Sequence, residues 1–181
     1  MLLIHINGGT LFNEKTFEFI HVKDTNLKLE HSLISVSKWE TEWKIPFLTD
    51  KEKTKQQLDD YIRCMSISGD IDPNAIKLIS QDDRIRISNY IGDKKTATWF
   101  SNTDDHKNKS SEQVTSELIY YWMIAYHIPP EYEKWHLSRL LTLIEICERK
   151  NAPAQKMSES EIIARNKALN AQRRAQLHSK G

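Results

Sequence analysis

Glycine is scarce in this sequence, five in 181 residues. None of the five forms a GxGxxG turn or a GxxxxGK[ST] loop, so neither common phosphate-cradling motif is present. Cysteine is scarcer still. Cys64 and Cys147 lie 83 positions apart, with no CxxC pair or Cys/His cluster around either. That spacing offers no zinc-ligand pattern, and a reducing cytoplasm fits it. Both sit among apolar residues at helical spacing and read as small buried hydrophobes. No apolar run reaches the roughly 20 residues of a membrane-spanning helix. The apolar start Met1-Leu2-Leu3-Ile4 is broken by His5, Asn7 and Gly8-Gly9, so no secretory signal is expected. Excess charge of one sign is lacking too. The net charge is +1, which argues against bulk nucleic-acid binding as the main task.

Catalytic motifs are also missing. HExxH, nucleophile-elbow and kinase patterns do not occur. The seven histidines (His5, His21, His31, His106, His127, His136, His178) have no ligand-like spacing. His127 and His136 flank Pro129-Pro130 with Glu131 and Glu133 between them, which reads as a solvated helix corner before it reads as a metal site. Glu117 and Glu145 fall within otherwise apolar helices and are expected on a polar side, or paired with Arg139 or Arg149. Trp39, Trp43, Trp99, Trp122 and Trp135 are scattered at helical spacing, which favours core packing over a stacking platform. The chain is therefore expected to be no enzyme and to hold no metal or cofactor.

What is present is enough apolar and aromatic residue for a real core. The chain is 39% hydrophobic, with five Trp, six Tyr and five Phe. The first ~35 residues alternate like strands. Leu2–Ile6 is followed by an Asn7-Gly8-Gly9 turn signal; Phe17 to Val22 places Phe17, Phe19 and His21 on one side; Leu27 to Ile34 alternates again after Asp24-Thr25-Asn26. These predict a small antiparallel sheet with one covered face.

From about Val36 the period becomes helical. Thr54 and Gln57 form a capping box ahead of Leu58, Tyr61, Ile62 and Met65. Asp72-Pro73 starts a short helix to Ile79, and Ser80 caps another with Ile87, Tyr90 and Ile91 inward and Gly92 as its stop. A polar loop covers 101–111. Ser110 with Gln113 is expected to cap a helix whose stripe is Val114, Leu118, Trp122 and Ala125. Glu131 to Lys150 predicts a central helix with Leu137, Leu140, Leu141, Ile144 and Cys147 on one face. The fold class is α+β: a small N-terminal antiparallel β-sheet over 1–36, a mostly helical domain over 37–150, and a basic helical C-terminal arm over 151–181.

The arm opens on Asn151-Ala152-Pro153-Ala154 and a Ser158/Glu161 capping box. From Lys156 onward it carries six Lys or Arg against two Glu. Its small stripe (Ala164, Ala168, Ala171, Ala175) suits lying against another surface. Arg165, Lys167, Arg173 and Arg174 fit a phosphate backbone, an acidic protein surface, or a solvated helix end. No aromatic residue is interleaved with them, which weakens the nucleic-acid reading.

Longer stretches carry a resemblance. Leu29-Glu30-His31-Ser32-Leu33-Ile34-Ser35-Val36-Ser37-Lys38-Trp39-Glu40 and Trp43-Lys44-Ile45-Pro46-Phe47-Leu48 resemble a family of small proteins from the tail gene clusters of long-tailed, siphovirus-type bacteriophages. The similarity continues through Asp60 to Met65, Thr96 to Phe100, Thr115 to Ala125, Lys134 to Ile144 and Asn166 to Asn170, in order over nearly the whole chain. These proteins are labelled tail assembly chaperones. The resemblance implies a non-enzymatic virion morphogenesis factor that binds the phage tape-measure protein or tail subunits in the host cell cytoplasm. The alternative is a permanent structural virion protein of the neck, tail or capsid. A homo-oligomer is compatible with both; a membrane is not expected. Helix-in-groove recognition is the natural mode for a helical client. The client surface is expected between Val114 and Cys147, with Trp122 and Trp135 as candidate contacts. The arm from Met157 to Lys180 would add Arg165, Lys167, Arg173 and Arg174.

Overall fold

The computed structural model describes residues 1–14, 16–69, 71–98, 100, 113–152 and 159–177. The chain is α+β, with four short antiparallel strands ahead of a run of helices. The strands are β1 (Leu2–Ile6), β2 (Gly9–Asn13), β3 (Glu18–Val22) and β4 (Thr25–Leu29). β1 pairs with β4, and β2 with β3. Their registers are continuous, since Ile6 faces Thr25 and Gly9 faces Val22. The two ladders are one long hairpin ribbon, interrupted at Asn7–Gly8 and Lys23–Asp24. The turn signal at Asn7-Gly8-Gly9 therefore marks a break within a ribbon rather than a reversal. The Gly8 N–H donates to the Asp24 carboxylate at 2.6 Å. A Cβ on Gly8 would lie 2.5 Å from the Val22 carbonyl oxygen, so the approach of the two strands requires glycine.

Ile4, Ile6, Leu27 and Leu29 are buried beneath the first ladder; Val22 is buried and Leu11 and Ile20 half-buried beneath the second. The inward positions are even on β1 and odd on β2, so the break shifts the parity that faces the helices. Alternation continues in the sequence to Ile34, yet helix α1 (Leu33–Trp43) begins earlier. Ser32 takes an extended conformation and its hydroxyl accepts the Ser35 N–H, an N-cap that overrides the strand pattern.

Helix α2 (Lys55–Cys64) opens on the expected capping box of Thr54 and Gln57, both halves formed. Helix α3 (Pro73–Lys77) opens on Asp72-Pro73, and α4 (Gln81–Gly92) on Ser80. Helix α5 (Ser116–Ala125) is capped by Thr115, whose hydroxyl accepts the Leu118 N–H. Ser110 lies outside the described residues, as does the Ser158 half of the arm's capping box. α5 buries Ser116, Ile119 and Met123 and exposes Ala125. The expected stripe of Val114, Leu118, Trp122 and Ala125 is thus rotated. Eight consecutive apolar residues from Leu118 to Ala125 leave no polar face for periodicity to detect.

The segment from Glu131 is not one helix. Pro130–Lys134 is a 3-10 turn, and α6 (Leu137–Asn151) starts after His136, which bridges to Ser32. Leu137, Leu140 and Ile144 on α6 are buried, while Leu141 and Cys147 are half-buried. They join Leu33, Val36 and Trp39 of α1, Tyr61 and Ile62 of α2 and Ile119 of α5 in one core. Full burial of each such aliphatic side chain contributes about 2 kcal/mol. The chain divides into two compact units, Met1–Cys147 and Glu148–Gly181. The second holds α7 (Glu159–Leu177), whose described side chains are exposed.

Candidate functional site

The residues singled out as partner contacts separate into different settings. Trp122 is half-buried and packs against the core. Trp135 forms a surface stack. Its ring lies 4.0 Å from that of Tyr132 at 14°, and the Arg139 guanidinium carbon sits 3.9 Å from its centroid. Arg165, Lys167, Arg173 and Arg174 are exposed on α7. Helical geometry puts Lys167 and Arg174, seven apart, on one flank of the Ala164–Ala168–Ala171 stripe, and Arg165 on the other. The remaining tryptophans divide likewise: Trp39 is fully buried, Trp43 stacks on it at 6.2 Å, and Trp99 lies outside the described residues. Cys64 and Cys147 are both half-buried free thiols, less enclosed than their apolar neighbours in the sequence predict.

Between Val114 and Cys147 the exposed large apolar groups are Tyr121 (63% exposed) and Ile124 (75%), three apart on the outer side of α5. They form a convex patch. A concave apolar surface lies elsewhere, between α2 and α4. That groove has a volume of about 520 Å³. Tyr61, Ile62 and Ile87 form its buried floor; Leu58, 45% exposed, and the half-buried Ile91 stand along its sides. Its rim is polar and cationic, with Lys55, Gln81 and Arg84. Arg84 is held by Asp59 and by the Ile76 carbonyl, which ties α4 to α2 and α3 at one end of the groove. The sequence carried one hint of this. Leu58 falls on the apolar spacing of α2 but is not covered by the core.

Two buried polar clusters fix the body around these surfaces. Glu40 is buried, and its carboxylate accepts the Phe47 N–H and the Ser116 N–H, each at 2.7 Å. It joins the end of α1 to the N-terminus of α5, where a negative charge complements the helix dipole. Glu117, in contrast, is exposed, and hydrogen bonds at its own helix start hold its carboxyl below the usual range. Glu145 is half-buried.

The second cluster pairs His31 and His136, both buried, with ring centroids 5.1 Å apart. The His31 ring bonds to the Tyr61 hydroxyl. The His136 ring bonds to the Tyr90 carbonyl at 3.0 Å and to Ser138 at 2.9 Å. The Tyr90 hydroxyl donates to Glu30, which also takes the N-terminal ammonium at 2.7 Å. Burial, reinforced by His136, lowers His31 to about 4. Among the described residues no three His, Cys, Asp or Glu gather as a metal-binding group, and no helix is long and apolar enough to cross a membrane.

Comparison of the chain with protein-family models, with curated proteins and with solved structures gives no match.

Proposed function

We propose that the protein is a non-enzymatic tail assembly chaperone of a long-tailed bacteriophage, acting on the tape-measure protein or tail subunits. The observation that carries this reading is the apolar groove between α2 and α4, with Leu58, Ile62, Ile87 and Ile91 along it and Lys55 and Arg84 at its rim. A groove of this kind takes the apolar stripe of an amphipathic helix, and Lys55 at the rim favours an acidic residue on the client's flank. Burial of that stripe keeps the client soluble until the tail polymerises around it. Tyr121 and Ile124 on α5, and the cations of α7, are further contact surfaces.

The test is quantitative mass spectrometry of purified particles against infected-cell lysate, with Leu58→Glu as the groove variant. Abundance in the lysate and absence from particles is the expected result, together with loss of soluble tape-measure protein in the variant. A fixed copy number per particle would overturn the chaperone reading and make the chain a structural component of the neck, tail or capsid. A variant that leaves the client soluble would remove the groove from the mechanism.

A further inference from the structure

The groove between α2 and α4 is tied at both ends of α4. In the first turn, Arg84 is held by Asp59 of α2. In the last turn, the Tyr90 carbonyl accepts a hydrogen bond from the buried His136 at 3.0 Å, beside a longer one from the Asp93 N–H at 3.4 Å. Ile87 and Ile91, before and after Tyr90 in the chain, line the groove. On α2, the Tyr61 ring is part of the groove floor, and its hydroxyl bonds to the buried His31. The two histidine rings, 5.1 Å apart, therefore connect the two helices that make the groove.

Hydrogen-bond roles fix where a proton can enter. A carbonyl only accepts, so the His136 nitrogen facing Tyr90 carries a hydrogen, and the other nitrogen of the neutral ring faces Ser138 at 2.9 Å. The Ser138 hydroxyl can turn to the Asp93 carbonyl, 3.1 Å away, which leaves its oxygen able to accept a second ring hydrogen from His136. Charged and titratable groups surround the pair from each packed element. Glu30 takes the N-terminal ammonium and the Tyr90 hydroxyl; Glu40 and Cys64 stand near Tyr61. Asp93 pairs with Lys95 beyond α4, and Lys53 lies over the Phe47 ring that packs on His31. Burial, and then charge on His136, lowers His31 to about 4 against the pull of Glu30, so the pair resists holding two protons.

We infer that the His31–His136 pair is a proton-sensitive clamp on the groove, setting the spacing of α2 and α4 through Tyr61 and the Tyr90 carbonyl. With the rings uncharged or sharing one proton, both ties hold and the groove keeps its shape. With both rings charged, repulsion at this separation drives them apart. Tyr61 then moves with His31 and the end of α4 with His136, and the groove loses the shape that fits an occupant. Coupling of this kind is reciprocal, so an occupant that fixes Tyr61 and α4 also makes the pair harder to protonate. As a control on client release the clamp rests on the function proposed above, whereas the coupling itself needs only this chain.

The experiment is isoleucine-methyl NMR of the full chain, without any client, titrated from about pH 7 to about pH 4. The methyl signals of Ile62, Ile87 and Ile91 should shift together with the histidine ring signals, while Ile119 in the core under α5 keeps its native position. Tyr61→Phe keeps the aromatic floor but removes the link to His31, so Ile62 should lose its shift. His136→Gln should remove the shift of Ile87 and Ile91. Groove methyls that stay fixed while the histidine rings titrate overturn the proposal, as do shifts that persist unchanged in both variants. Loss of the Ile119 signal in step with the others also overturns it, because acid would then be unfolding the body as a whole. A client that fails to bind removes the function proposed above and leaves these signals as they are.

Discussion

His31 shows what one residue's surroundings do to its chemistry. The ring is enclosed by Tyr61, His136 and the carboxylate of Glu30, and burial outweighs the attraction of that carboxylate. The folded chain therefore resists protonating His31 until about pH 4, whereas the unfolded chain accepts the proton near its ordinary 6.5. Stability is undiminished above that upper value and declines as pH falls through the window. The loss is on the order of 3 kcal/mol by the bottom of it. Urea unfolding at pH 7 and pH 4.5 should show a steeper decline for the wild type than for His31→Gln; equal declines would remove His31 as the cause. Little of this was legible in the sequence. His31 and His136 are about a hundred positions apart and neither has a ligand-like neighbour. The buried carboxylate was equally hidden. Glu117 and Glu145 stand out in apolar helices, yet the enclosed one is Glu40, because its two backbone donors come from Phe47 and Ser116. Enclosure of a polar group depends on contacts distant in the chain, and local pattern does not report them.

At the level of elements, the starts of α2, α3 and α4 were legible because capping is local chemistry, while those of α1, α5 and α6 were not. Thr54 with Gln57, Asp72 with Pro73, and Ser80 all open the helices they announce. Helix faces were legible only where polar residues mark the far side. α5 has almost none, so its buried face is chosen by Glu40 gripping its first turn. The ribbon was half legible, its strands visible and its continuity not, since a glycine pair resembles a reversal. The physical difference can be measured. Gly8→Ala brings a methyl against backbone and should cost about 2 kcal/mol or more. Gly92→Ala, with open space around the added carbon at the end of α4, should be neutral or stabilising by a few tenths of a kcal/mol. The two melting temperatures side by side decide it; similar losses would mean that the strand approach at Gly8 is not a constraint.

Across the whole molecule, the two compact units differ in charge as well as in size. Residues 148–181 carry eight Lys or Arg against three Glu, leaving the first 147 with 18 basic and 22 acidic side chains. The near-neutral total therefore conceals an acidic body and a basic arm, which bulk composition could not reveal. Deletion of 157–181 should leave a body that melts within a few degrees of the full chain; unfolding on deletion would place the arm within the core.

The bridge between Ser32 and His136, with the Leu137 N–H given to the His31 carbonyl at 2.7 Å, has a kinetic meaning. It closes a loop of about a hundred residues, at an entropic cost on the order of 4 kcal/mol. Such a contact forms late, because its reward arrives only after the intervening chain has been gathered. During synthesis the ribbon and α1 to α5 emerge first, and His31 can meet Tyr61 and Phe47, yet its enclosure is incomplete until His136 has been made. The body is then completed by its own last helix, and a nascent chain halted before that point remains unclosed, however many of its helices have already formed.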